Sequence, residues 1–148
     1  MNLTIKHDDF NKNYIYLCDP IKNFVIEDAT FYKFLYSTPI NTFNCILFDM
    51  TFTNVQIVKS YNKYKMIINK SNINLISFIL NIEKEILSRI NLSGSPQFDL
   101  FDNINMGFIK LYSKNILSEK IDRLRVTLKL SGIWKTDKKY GITYKFSV

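Results

Sequence analysis

The chain has 148 residues, of which 47% are hydrophobic and 22% charged, a balance typical of a folded globule rather than of a disordered segment. Its formal net charge of +7 is uneven, because residues 1–57 carry a net −2 and residues 58–148 a net +9. This asymmetry favours an anionic partner at one side of a single domain, residues 1–148. An anionic membrane surface or simple solubility is the alternative explanation of this charge. No apolar stretch approaches the ~20 residues of a membrane-spanning helix, and no membrane partner is predicted.

Short apolar or alternating runs dominate the first half of the chain and predict strands. Turns are marked by Asp19-Pro20 and Thr38-Pro39. A continuous apolar run from Phe43 predicts a central strand, and the polar tip at 61–63 predicts a hairpin. The predicted strands are Leu3–Lys6, Tyr14–Cys18, Asn23–Ile26, Phe31–Tyr36, Phe43–Met50, Val55–Ser60 and Tyr64–Ile68.

One long amphipathic helix is predicted between Asn74 and Asn91. Its apolar residues recur at steps of three and four, which places them on one face that packs on a sheet: Leu75, Ile79, Ile82, Ile86 and Ile90. After the helix, the sequence predicts a loop or irregular edge over Gln97–Asn105, a strand over Met106–Tyr112 and a polar connector over Ser118–Arg123.

The chain closes with a predicted β-hairpin. Leu124–Ser131 and Tyr140–Phe146 both alternate apolar and polar residues, and a charged loop lies between them. Gly132 predicts a bulge that re-aims Trp134, the single tryptophan. Several strands, one long helix and further strands indicate a mainly β (α+β) domain, and a small OB-like β-barrel fits this order.

Signals for catalysis are weak. The sequence contains no phosphate-binding glycine loop and no nucleophile elbow. His7 stands beside Asp8 and Asp9 without a second ligand cluster, and no third carboxylate supports Asp99 and Asp102. We therefore predict no enzyme activity, no metal and no cofactor. A small nuclease that uses Asp8, Asp9 or Asp99 with a metal is the alternative.

The two cysteines predict an intracellular protein. Cys18 and Cys45 both lie in apolar surroundings, at a spacing that matches no metal motif. Buried, reduced thiols are typical of reducing compartments. The first ten residues also lack the charged-then-apolar pattern of a secretory signal.

The closing hairpin carries the main candidate binding residues. Arg125 and Lys129 alternate with apolar residues on one strand, and Lys145 occupies the polar face of the other, so the three predict a basic stripe for phosphates. Lys138 and Lys139 in the loop extend it. Trp134 and Tyr140 flank the loop and are candidates for stacking on bases; a structural role for Trp134 at one end of the core is the alternative.

A second candidate patch lies at the tip of the predicted 55–68 hairpin. It interleaves cations with tyrosines: Lys59, Tyr61, Lys63 and Tyr64. Exposed at a hairpin tip, these residues would contact the same ligand. An A+T-rich coding bias, which enriches Lys, Asn and Tyr together, would produce the same composition.

The segment Leu128–Phe146, LKLSGIWKTDKKYGITYKF, resembles the C-terminal hairpin of single-stranded DNA-binding proteins from large double-stranded DNA viruses, where it closes an OB-type barrel. The matching positions are Gly132, Trp134, Tyr140, Gly141, Thr143, Tyr144 and Lys145. The resemblance implies sequence-independent binding of single-stranded DNA during viral replication, recombination or repair, inside an infected cell.

These observations together predict a non-enzymatic protein that binds single-stranded nucleic acid, DNA in preference to RNA. The alternative is a viral protein-interaction or structural module, which predicts scattered lysines and an exposed apolar patch. An open edge strand would also allow two copies to pair into a homo-oligomer.

Overall fold

A computed structural model of the chain describes residues 4–22, 28–61 and 63–148. Strands account for 49% and helices for 23% of the residues, which confirms the mainly β class with one long helix. The described helices are α1 (Ile73–Arg89) and α2 (Asp99–Asn105), with short 3₁₀ turns at His7–Asp9, Lys12–Tyr14 and Lys70–Asn72. The described strands are β1 (Ile15–Leu17), β2 (Ile21–Lys22), β3 (Thr30–Ser37), β4 (Thr42–Phe43), β5 (Ile46–Ser60), β6 (Lys63–Ile67), β7 (Ser95–Gln97), β8 (Phe108–Tyr112), β9 (Lys120–Lys135) and β10 (Lys139–Ser147).

The two longest strands, β5 and β9, form the centre of a mixed sheet. They pair antiparallel from Ile46↔Leu130 to Gln56↔Lys120. β5 also pairs with β6, β6 with β8, and β8 runs parallel to β10, which pairs back with β9. These five strands therefore hydrogen-bond in a cycle. β3 pairs with the end of β9 and carries β1, β2 and β4, while β7 lies parallel to β10.

The core lies between the sheet and α1. Alternate residues of β9 are buried, as their period of two requires, and α1 contributes one apolar face. Burial of each large aliphatic side chain stabilises the fold by about 1.5–3 kcal/mol. The buried residues of these two elements include Leu124, Val126, Leu128, Leu130, Ile76, Ile79, Ile82 and Ile86. Of the helices in the described ranges, none has the length and apolar character to cross a membrane.

A bulge in β9 changes which residues face the core. The partner of β10 shifts from Gly132 opposite Thr143 to Leu130 opposite Tyr144, so Ser131 is an extra residue. Beyond it, Ile133 is fully buried and Trp134 faces outward, half-buried. The bulge predicted at Gly132 is therefore confirmed, and it turns Trp134 away from the core.

Three sequence predictions are corrected by tertiary structure. The segment 97–105 is not a loop, because Leu100 and Ile104 are buried and α2 forms there. The predicted connector 118–123 supplies the start of β9, which the long partner β5 extends. The predicted central strand and the first strand of the 55–68 hairpin are largely one strand, β5.

Two predicted strands at the beginning of the chain have different outcomes. Residues 4–6 are not a strand, although the backbone N–H of Ile5 donates to the carbonyl of Leu47 at 2.7 Å. Leu3 and the predicted strand Asn23–Ile26 lie outside the described residues.

Candidate functional site

Four lysines lie side by side across four neighbouring strands. Lys65 of β6 is paired with Lys110 of β8, and Lys145 of β10 with Lys129 of β9. Lys145 also stands beside Lys110, because the next residues, Phe146 and Leu111, are partners in the parallel pair. Adjacent strands are about 4.8 Å apart, so this lysine row spans about 15 Å.

The lysine row carries uncompensated charge. Its four side chains share the outward face, because the residues that alternate with them, such as Met66, Leu111 and Phe146, are buried. None of the four forms an ion pair with a described residue. Like charges directly opposite on paired strands are destabilising, and an anion laid along the row would relieve that repulsion.

Aromatic rings of β8 lie among these lysines. The Nζ atom of Lys145 lies 4.6 Å from the centroid of the Tyr112 ring, and that of Lys110 lies 5.8 Å from the same centroid. The Nζ atom of Lys65 lies 4.4 Å from the centroid of the Phe108 ring. Cations and π-faces therefore alternate on this surface, the combination that single strands of nucleic acid require.

Two adjoining grooves run along this surface. Their volumes are about 780 Å³ and 520 Å³, and they share Lys63, Tyr112 and Lys145. Along the described part of both grooves, no Asp or Glu side chain contributes to the lining. The larger groove continues from the hairpin tip at Tyr61 to α2.

Helix α2 forms one wall of the larger groove and is held in place by polar contacts. The fully buried carboxylate of Glu83, on α1, accepts hydrogen bonds from the backbone N–H groups of Leu100 at 2.8 Å and Phe101 at 3.0 Å. Burial raises the pKa of Glu83, although these two donors oppose the rise. On the groove side, the Asn103 amide donates to the hydroxyl of Tyr144, whose pKa is also raised by burial.

The structure brings Lys129 and Lys145 together as predicted, but Arg125 has a partner of its own. Its guanidinium donates to Oδ2 of Asp49 at 2.6 Å, and Thr127 donates to the other carboxylate oxygen at 2.9 Å. Burial acts to raise the pKa of Asp49, but these hydrogen bonds outweigh it and hold the pKa below its ordinary value. The predicted stripe is thus partly neutralised at Arg125.

Trp134 is anchored on one side. Its indole N–H donates to Asp99 Oδ2 at 3.3 Å, and its ring covers Gly141 so closely that a Cβ at that glycine would lie 2.9 Å from it. Burial raises the pKa of Asp99, while the bond from Trp134 opposes that rise. These contacts hold the indole against α2 and β10 on the outer side of the sheet, and not at one end of the core as the alternative prediction had it. They also account for glycine at position 141.

The other predicted aromatic residues divide sharply by exposure. Tyr61 is 95% exposed at the tip between β5 and β6, whereas Tyr64 is 7% and Tyr140 5% exposed. The expectation that Tyr64 and Tyr140 stack on bases is therefore corrected, because each occupies an inward position of its strand and packs in the core.

The predicted lysines outside the row are all exposed. Lys59 and Lys63 flank the tip of the β5–β6 hairpin, and Lys138 and Lys139 belong to the closing hairpin. Lys63 lines both grooves, whereas Lys138 and Lys139 line neither. The grooves therefore join the two predicted patches through Tyr61 and Lys63 of one patch and Lys145 of the other.

The outward residues of β8 line the candidate site but were not predicted as binding residues. Phe108, Lys110 and Tyr112 alternate with the buried Ile109 and Leu111. Separating the two faces of the predicted strand 106–112 would have revealed this outward set, as it did for the closing hairpin.

Neither a metal cluster among the described residues nor a match to a known protein indicates the function of this surface. In the described residues, no three His, Cys, Asp or Glu side chains come together to hold a metal ion. Comparison with protein-family models, with curated proteins and with solved structures found no match. The function is therefore inferred from the geometry of the surface.

Proposed function

We propose that this protein binds single-stranded nucleic acid without sequence preference and without catalysis. The observation that carries the proposal is the lysine row, four cations on neighbouring strands with no ion-pair partner among the described residues. Such an array attracts a phosphate backbone regardless of sequence. The rings of Phe108 and Tyr112, set between the lysines, add π-faces for bases.

We further propose that the cycle of five strands is an OB-like barrel. In that fold, ligands bind on the second and third strands and on the loops that join the first two and the last two strands. Counted along the cycle, the second and third strands are β6 and β8, which carry Lys65 and Lys110. Tyr61 lies in the first of these loops and Lys138 in the other. On this proposal, two of the four lysines of the row lie on the strands that usually bind the ligand, and the other two lie on the neighbouring strands β10 and β9.

The preference for DNA over RNA, and a role in viral replication, recombination or repair, rest on the resemblance of Leu128–Phe146 to viral single-stranded DNA-binding proteins. Titrations with oligo-dT and oligo-rU of equal length test the preference. Equal affinity for the two would remove the DNA preference and leave the binding of single strands in place.

Binding is tested by fluorescence anisotropy with a labelled oligo-dT at two salt concentrations. We expect a dissociation constant of about 10⁻⁶ M or tighter at about 50 mM salt, weakening steeply at about 200 mM. A dissociation constant no better than about 10⁻³ M at the lower salt would refute the proposal, because nonspecific binding to phosphates alone is tighter than this.

A protein-interaction module remains the second candidate. Three apolar side chains around α2 support it, since Phe98, Phe101 and Met106 are exposed. Such a module predicts that Phe101→Ser abolishes capture of its partner, whereas nucleic-acid binding along the lysine row predicts unchanged oligo-dT affinity in the same variant.

A further inference from the structure

Tyr112, the last residue of β8, is the ring where the two grooves meet. It lines both grooves and is 45% exposed. Lys110 and Lys145 both place their ammonium groups near this one ring. No other described ring is paired with two cations in this way, since Phe108 is paired with Lys65 and Tyr64 with Lys59.

The remaining rings near the grooves are less suited to receive a base. Phe108 is half-buried and Phe146 is buried. Tyr144 is half-buried and its hydroxyl accepts a hydrogen bond from Asn103. Tyr61 is almost fully exposed at the hairpin tip, so a base stacked on it would gain little shelter from water. Tyr112 combines an accessible ring with a groove on both sides.

We infer that Tyr112 stacks on one unpaired nucleobase while Lys110 and Lys145 leave its ring for the neighbouring phosphates. The inference rests on the proposed binding of single strands and names the residues that distinguish a nucleotide from a bare polyanion. When an exposed lysine ammonium moves from an aromatic ring to a phosphate, it loses a weak cation–π interaction. It gains a charge-assisted hydrogen bond to a phosphate oxygen. The base then takes the vacated π-face.

The replacement of the lysine ammonium groups by a base on the Tyr112 ring determines which class of nucleic acid can bind. In a duplex, the bases are stacked on each other and offer grooves and phosphates, so Tyr112 would find no free π-face. In a single strand, successive bases are open to aromatic side chains. The site therefore selects unpaired nucleotides over duplexes and over polyanions without bases.

The test compares oligo-dT with an abasic oligomer of the same length and phosphate count, by anisotropy at low salt. Wild-type protein, Tyr112→Ala and Tyr112→Phe are titrated with both. The matched control is Tyr16→Ala, because Tyr16 is a strand tyrosine with 51% exposure that lines neither groove. Thermal melts verify that each variant is folded.

We expect wild-type protein to prefer oligo-dT over the abasic oligomer by at least about 5-fold and up to about 150-fold per stacked base. Tyr112→Ala should lose at least about fivefold of that preference while keeping its affinity for the abasic oligomer. Tyr112→Phe and Tyr16→Ala should keep the preference.

Three results overturn the inference. Equal wild-type affinity for both oligomers, or an undiminished preference in folded Tyr112→Ala, would exclude stacking on this ring and leave the proposed binding of phosphates intact. Failure of wild-type protein to bind either oligomer would overturn the inference together with the proposed function.

Discussion

Neutralising two lysines of the row should weaken the salt dependence of binding by a defined amount. The variant is Lys110→Gln with Lys145→Gln, which removes two charges from the centre of the row and keeps long polar side chains there. Both residues are exposed, so the substitutions should leave the core intact. Because they remove opposed like charges, they should not lower the free energy of unfolding.

The size of the effect follows from the number of cations that face the grooves. Five lysines line them, and Lys129 adjoins them opposite Lys145. For single strands, the slope of log K against log[salt] is about −0.7 per neutralised phosphate, so six contacts predict about −4.2 and four about −2.8. Between about 50 and 200 mM salt, wild-type affinity should fall about 300-fold and that of the double variant about 50-fold.

The assay is anisotropy with labelled oligo-dT at four or more salt concentrations. The control is Lys70→Gln with Lys84→Gln, which makes the same change in net charge at two exposed lysines near and on α1, outside both grooves. We expect the control to keep the wild-type slope. Equal slopes for the two double variants would show that net charge, and not the lysine row, drives binding.

Four further predictions concern the scaffold. Gly132→Ala would place a Cβ 2.2 Å from a backbone oxygen of Tyr32, so urea unfolding should show a loss of about 1–3 kcal/mol or more. Glu83→Ala leaves two backbone N–H groups of α2 without acceptors, and hydrogen exchange should show α2 opening at a cost of about 1–3 kcal/mol. Because the pKa of Glu83 is raised, the folded protein binds its proton more tightly than the unfolded chain does; wild-type stability relative to Glu83→Gln should therefore increase as pH falls from 7 towards the ordinary value of 4.5. Trp134→Ala should lower the melting temperature but change oligo-dT affinity by less than the roughly fivefold loss of one stacked base.

Those parts of the fold that depend on local periodicity could be predicted from the sequence. The alternation in the closing hairpin and the three-to-four spacing of α1 are properties of single elements, and both are confirmed. By contrast, the backbone of α2 is hydrogen-bonded to Glu83 of α1, which lies 17 residues before Leu100, so the contact exists only where the two helices pack together. Tertiary contacts of this kind leave no local pattern.

The candidate site shows the same division. Tyr140 shares its face with Ile142, so strand periodicity alone would have placed its ring inside. The lysine row could not be predicted from strand periodicity alone, because it depends on the registers that join β6, β8, β10 and β9. Lys65 and Lys129 are 64 residues apart in the chain, and only the intervening strand pairs bring them into one row.

Placement, rather than composition, distinguishes this surface from the effect of coding bias. Bias towards lysine sets how many cations the chain has, but strand register sets which of them meet. Two cations on the outward face of β9 have different neighbours. Arg125 is paired with Asp49, whereas Lys129, two outward positions further along the strand, faces Lys145. Since opposed like charges on paired strands forgo about 0.2–1 kcal/mol that a favourable pair supplies, the lysine row is a place where the fold gives up stability. The lysine row also lies beside two grooves and the ring of Tyr112. A binding site for an anionic, aromatic ligand requires this combination, whereas a uniform excess of lysine does not predict it.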